Sequence, residues 1–185
     1  GRALSHSKLA QLIERKAASY QEDIKSKMRV FPGVQTLVPE LAKKLPLAIA
    51  SGALRNEIDI ILSGIGLLAY FYAIVSAEDV TRGKPEPEIF LKALAQLNAA
   101  LGSDHPISPA ECLVIEDSKE GIRGARRAGM KCLAVTNSHP PELLAEADSQ
   151  MEPGSEALNP RRIATVRHRG DGSRSPQDAR PAPRS

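Results

Sequence analysis

The chain has 185 residues, 42% hydrophobic and 25% charged, which is room for one domain with a core plus appendages. Its formal net charge of +3 is unevenly held: residues 161–185 carry seven Arg against two Asp, so the rest of the chain is mildly acidic. An aromatic content of 3% gives little material for base stacking, no apolar run approaches the roughly 20 residues of a membrane span, and residues 1–30 lack a signal-peptide pattern; the expectations are no specific nucleic-acid partner, no membrane and a cytoplasmic location.

Residues 4–28 place Leu9, Leu12, Ile13, Ala17, Tyr20, Ile24 and Met28 at helical spacing with charges between, which predicts an amphipathic helix or helix pair. Pro32-Gly33 breaks it, and a second helix is predicted over 34–44. The run Leu47-Ala48-Ile49-Ala50 is short and continuously apolar, as a strand buried on both faces would be. A helix around 54–63, a strand at 71–75 and a helix around 86–101 follow.

Ser108-Pro109-Ala110-Glu111 resembles a capping box with proline at the first helical position, so a brief helical turn is expected before the strand at 112–115. A helix at 119–128 and a strand at 131–135 complete the pattern. Strands alternating with helices of this length predict right-handed crossovers and a doubly wound, mostly parallel α/β sheet. Beyond about Gln150 the chain becomes rich in Pro, Gly, Ser and Arg, and a disordered, solvated tail is expected over 151–185. Cys112 and Cys132 are too few for a disulfide scaffold and read as buried free thiols of a reducing compartment.

In a sheet of this kind ligands bind outside the carboxyl ends of the strands, and three polar groups fall at such ends. Val114-Ile115-Glu116-Asp117-Ser118 is an apolar strand closing in two carboxylates, the hard oxygen donors of a small divalent ion such as Mg²⁺. Equally, Asp117 or Ser118 suits the cap of the helix that follows. Lys84, between Gly83 and Pro85, reads either as a cation aimed from a stiff base at a phosphoryl group or as a solvated loop lysine. Ser51-Gly52-Ala53 offers a hydroxyl and backbone N–H groups to a phosphate oxygen, or a plain N-cap. Arg55 remains unassigned, Glu86 and Glu88 are explained as first-turn acids, and His139 before Pro140-Pro141 is a loop residue.

Read in order, Ile49-Ala50-Ser51-Gly52, then Gly83-Lys84-Pro85-Glu86-Pro87-Glu88-Ile89-Phe90, then Val114-Ile115-Glu116-Asp117-Ser118 with Gly121, resemble motifs two to four of the haloacid dehalogenase superfamily. The flanking text is similar to its phosphatase and β-phosphoglucomutase branch, over roughly residues 8–148. The resemblance implies hydrolysis of a small phosphorylated metabolite, a phosphate monoester, through an aspartyl phosphate, with Mg²⁺ clamping the phosphoryl oxygens. It implies that Ser51 and Gly52 bind the phosphoryl group, that Lys84 both binds it and balances charge, and that Glu116 and Asp117 hold the ion. A sugar phosphomutase uses the same core and is the rival reading; a non-catalytic binding module is the third.

The family's first motif, a strand ending in Asp-x-Asp, has no counterpart here: no two aspartates lie two apart, and Asp23, the first, sits in a predicted helix. The resemblance therefore implies an N-terminally truncated chain. Residues 1–29 would be the end of a helical cap, and 30–150 an α/β core lacking its first, central strand. A gap or unsatisfied edges in the sheet, and inactivity of the chain alone, are the expectations.

Overall fold

The computed structural model describes residues 30–152. The expected cap remnant at 1–29 and the tail from 153 onward lie outside the described residues. Helix α1 (Val34–Ala42) leads into β1 (Leu47–Ala50), α2 (Arg55–Gly64), β2 (Phe71–Val75), α3 (Glu88–Leu101), β3 (Leu113–Glu116), α4 (Lys119–Arg127), β4 (Lys131–Val135) and β5 (Ser149–Met151). The predicted turn at 109–111 is present, with the Glu111 carboxylate accepting from both Ser108 N–H and Ser108 Oγ–H. Residue 151, expected to open the tail, instead belongs to the sheet: Met151 pairs with Val135 as the last residue of β5.

All strand pairs are parallel, β1 with β2, and β3 with β4 and β5. Alternation along each strand sorts the side chains onto two faces. Ala48, Ala50, Val75, Val114, Cys132 and Ala134 meet Ile89, Phe90, Ile122 and Ala125 of α3 and α4. On the opposite face Leu47, Leu113 and Leu133 pack with Leu37 and Leu41 of α1, while Ile49 and Ile74 pack with Ile58 and Leu62 of α2. Helices thus cover both faces, as the alternation of elements predicted.

The sheet is split. Among the described residues the strands form a two-stranded and a three-stranded sheet, with no pairing between β1 and β3. Leu47 of β1 and Leu113 of β3 pack into the same α1 cluster, which sets β1 and β3 side by side under α1, with a lane between them that no described strand fills. The expected burial of 47–50 on both faces is corrected accordingly: all four residues of β1 are only half-buried, and Ile115 of β3 is 42% exposed. A parallel strand loses water from its backbone edge only when a neighbour pairs with it. Cys132 is fully buried as expected, whereas Cys112, just ahead of β3, is only partly so.

Candidate active site

Lys84 is held from both sides of its loop. Glu88, in the first turn of α3, accepts the backbone N–H groups of Thr81 at 2.8 Å and Arg82 at 3.0 Å. The Lys84–Pro85 peptide is cis, and α3 begins at Glu88 rather than at the prolines. The ring of Phe90 lies beneath the ammonium, with Nζ 5.2 Å from its centroid. Glu88 is therefore more than a first-turn acid, since it ties the loop carrying the cation to a packed helix.

Those two N–H groups, Thr81 first, hold the Glu88 carboxyl below its usual range. A depressed folded value contributes stability that is present above the unfolded carboxyl value and is lost as pH falls through the folded one. Glu88→Gln is expected to lower hydrogen-exchange protection of the Thr81 and Arg82 amides at neutral pH. The unaltered chain should lose that protection only in acid, below the usual carboxyl range. Equal protection in both proteins at pH 7 would refute the anchoring role.

Across from this loop, β3 delivers Glu116 to the same place. Its Oε1 pairs with Lys84 Nζ, and the side chains are 8% and 19% exposed. Its Oε2 accepts Ser118 Oγ–H at 2.9 Å and, more weakly, the N–H groups of Asp117 at 3.3 Å and Ser118 at 3.4 Å. Ser118 is the N-cap of α4, taking Gly121 N–H at 3.0 Å. Of the two candidate caps Ser118 takes the role, and Asp117 is left out of the helix start.

The Glu116 carboxylate lies directly against Gly121. A Cβ there would fall 2.0 Å from Glu116 Cδ, so only glycine leaves room. The clashing group is the end of a flexible side chain, and it would swing aside without unfolding α4. Gly121→Ala is expected to break the Lys84–Glu116 contact and to lower the melting temperature without unfolding the protein, since alanine's helix gain of about 1 kcal/mol only partly offsets the loss of that pair. A crystal structure of the variant with that pair intact would rule this out.

Asp117 follows β3 and is met by the residues that follow β4. The register sets Glu116 opposite Ala134, so the chains beyond both strands run on side by side. Ser138 Oγ donates to Asp117 Oδ2, joined by Asn137 Nδ2 at 3.3 Å. His139 Nδ1 lies 2.9 Å from the Asp117 carbonyl oxygen, which can only accept, so this contact places the proton on Nδ1.

Ser51 ends β1 on the same edge of the sheet, with its N–H extending the parallel pairing to Val75 O at 2.9 Å. It is not the cap of α2, which starts at Arg55 after Leu54. Its Oγ accepts Ala53 N–H at 3.2 Å and leaves the hydroxyl proton to donate elsewhere. Gly52 has open space where a side chain would stand. Arg55 is engaged with both Asp59 oxygens at 3.1 Å. The structure thus pairs Lys84 with Glu116, sets Asp117 beside them and places Ser51 on the same edge of the sheet.

Among the described residues no group of three or more His, Cys, Asp or Glu side chains converges. The available donor set is two carboxylates at one strand end. That suits a small hard cation, which typically takes one or two carboxylates and completes its shell with water and substrate oxygens. Cys132 is no candidate ligand or nucleophile, since burial, helped by the charges of Glu116 and Asp148, pushes its thiol up to about 12.

A doubly wound fold with a lysine, a hydroxyl and paired carboxylates at the strand ends defines a class, and the sequence profile of haloacid dehalogenase-like hydrolases matches residues 2–135; the chain belongs to that family. Validoxylamine A 7′-phosphate phosphatase of Streptomyces hygroscopicus subsp. limoneus is 34% identical over 63% of this chain and 51% of its own length. The β-phosphoglucomutase of Bacillus subtilis (strain 168) is 34% identical over 70% of this chain and 54% of its own. The chain therefore spans about half the length of the curated relatives it matches. A haloacid dehalogenase-like protein of unknown function from Agrobacterium tumefaciens str. C58 has a solved structure that superposes with a TM-score of 0.64, at 28% identity, covering 89% of this chain and 71% of that one.

Proposed function

We propose that the chain supplies the phosphoryl- and metal-binding part of a Mg²⁺-dependent phosphatase acting on a small phosphorylated metabolite. The observation that carries this reading is the Lys84–Glu116 ion pair beside Asp117 at the carboxyl edge of a parallel sheet. Ser51 Oγ–H donates to a phosphoryl oxygen, and Lys84, already held over Phe90, balances the negative charge that gathers there. Glu116 and Asp117 would hold the ion. When bound, Mg²⁺ supplies electrostatic stabilisation of the phosphoryl oxygens and fixes their orientation.

The attacking group belongs to an aspartate outside residues 30–152. Its carboxylate oxygen bonds to phosphorus as the ester P–O bond breaks, and the departing alkoxide takes up a proton to leave as the alcohol. Water then attacks the phosphorus of the aspartyl phosphate, releasing inorganic phosphate and the free carboxylate.

The 185-residue chain alone, incubated with p-nitrophenyl phosphate and Mg²⁺, is expected to give no turnover above background. Turnover by that chain, unchanged in Lys84→Ala, would refute both the missing nucleophile and the role of Lys84. The likeness to a β-phosphoglucomutase supports a phosphomutase as the second reading. It predicts interconversion of hexose phosphates in place of phosphate release once a nucleophile is provided.

A further inference from the structure

We infer that the loop after β4, through Asn137, Ser138 and His139, positions Asp117 so that its Oδ1 is the oxygen presented to a divalent cation. This rests on the reading of Asp117 as an ion ligand given above.

The three contacts have complementary effects. Ser138 Oγ–H and Asn137 Nδ2–H both end on Oδ2, which occupies that oxygen with protein donors. Asn137 Nδ2 also lies 3.1 Å from Ser138 Oγ, so the amide supports the hydroxyl that donates to the carboxylate. The Nδ1–H of His139 pins the main chain of Asp117 at its carbonyl oxygen. Backbone and carboxylate are therefore both held from a second strand end.

Oδ1 is different, because none of the described residues donates a hydrogen bond to it. Both oxygens of Glu116 already have partners, Oε1 in Lys84 and Oε2 in Ser118 and the N–H groups of the α4 start. Among the described residues, Asp117 Oδ1 is thus the carboxylate oxygen of this pair to which no group donates. A carboxylate turned by hydrogen bonds to one oxygen binds a cation through the other without first losing torsional freedom, the usual effect of groups that orient metal ligands. Ser118 makes this division possible by capping α4 in place of Asp117.

The test is Mn²⁺ binding to the full 185-residue chain, read by electron paramagnetic resonance, with Mn²⁺ standing in for Mg²⁺. The double variant Asn137→Ala/Ser138→Ala is expected to bind Mn²⁺ about 10-fold or more weakly. Its metal-free melting temperature should be unchanged, and Ser138→Thr, which keeps the hydroxyl, should retain binding. Unweakened binding in the double variant, while Asp117→Asn weakens it, overturns the positioning role and leaves the metal reading standing. Binding unaffected by Asp117→Asn overturns the metal reading itself, and a chain that takes up no Mn²⁺ at millimolar concentration overturns both.

Discussion

Joining an apolar strand that ends in Asp-x-Asp to the amino end of this chain is expected to give a protein that hydrolyses p-nitrophenyl phosphate at least about a thousand-fold faster than the unjoined chain. The lane between β1 and β3 is the reason. Its two edges carry unpaired backbone groups among the described residues, β1 is half-buried along its length, and Ile115 is exposed. A parallel strand laid there would pair with both edges and bring its last residue to the carboxyl edge that holds Ser51, Lys84 and Glu116.

Two effects then separate cleanly. Filling the lane buries Ile115 and the flanks of β1, stabilising the protein by on the order of a few kcal/mol, whatever residue ends the strand. Catalysis needs the carboxylate. A version with Asn in place of the first aspartate should melt as high as the Asp version and hydrolyse nothing. Equal rates for the Asp and Asn versions would exclude the proposed nucleophile, and unchanged melting in both would mean that the strand does not occupy the lane.

Lys84→Met should have the second-largest effect. It removes the cation from a Glu116 carboxylate that is 8% exposed, and stranding a buried charge in this way costs about 3 kcal/mol. The residual bonds from Ser118 and the Asp117 N–H keep the cost near the low end of that class. Adding Glu116→Gln should recover much of the loss, because the uncompensated charge is gone. In the strand-joined protein the same Lys84→Met change should lower kcat by about 100-fold or more, through loss of a preorganised charge at the phosphoryl group. Urea melts of the single and double variants, with kcat measured alongside, test both parts. A Lys84→Met protein as stable as the original would show that Glu116 does not depend on Lys84.

The fold was legible where an apolar run or a capped start marks an element. Leu47–Ala50 and Lys131–Val135 are bounded as their apolar runs predict, and Lys119–Arg127 follows from its capped start. β5 was not legible, because Ser149–Met151 is three residues long with one apolar side chain and owes its pairing to β4. The exposure of β1 also escaped prediction, since an apolar run says a strand is suited to the interior and not that a neighbour is present.

In the site, Lys84, Glu116 and Asp117 could be proposed from their places at strand ends. The hydrogen bonds made by Asn137, Ser138 and His139 span about twenty residues of sequence and depend on the β3–β4 register, so no local pattern announced them. The polar run Thr136-Asn137-Ser138-His139 at a strand's carboxyl end was the available signal.

Helix α4 shows what the site demands of its scaffold. Two of its nine residues are glycines, each a sacrifice of about 1 kcal/mol in intrinsic helix propensity relative to alanine. A side chain at Gly121 would strike the Glu116 carboxylate, and one at Gly124 would come within 2.9 Å of the Phe90 ring, the same ring that underlies Lys84. The routine route to a sturdier helix, glycine to alanine, therefore meets one partner of the ion pair at the first position and the support of the other at the second. Efforts to harden this protein should leave α4 alone and look to surfaces remote from it.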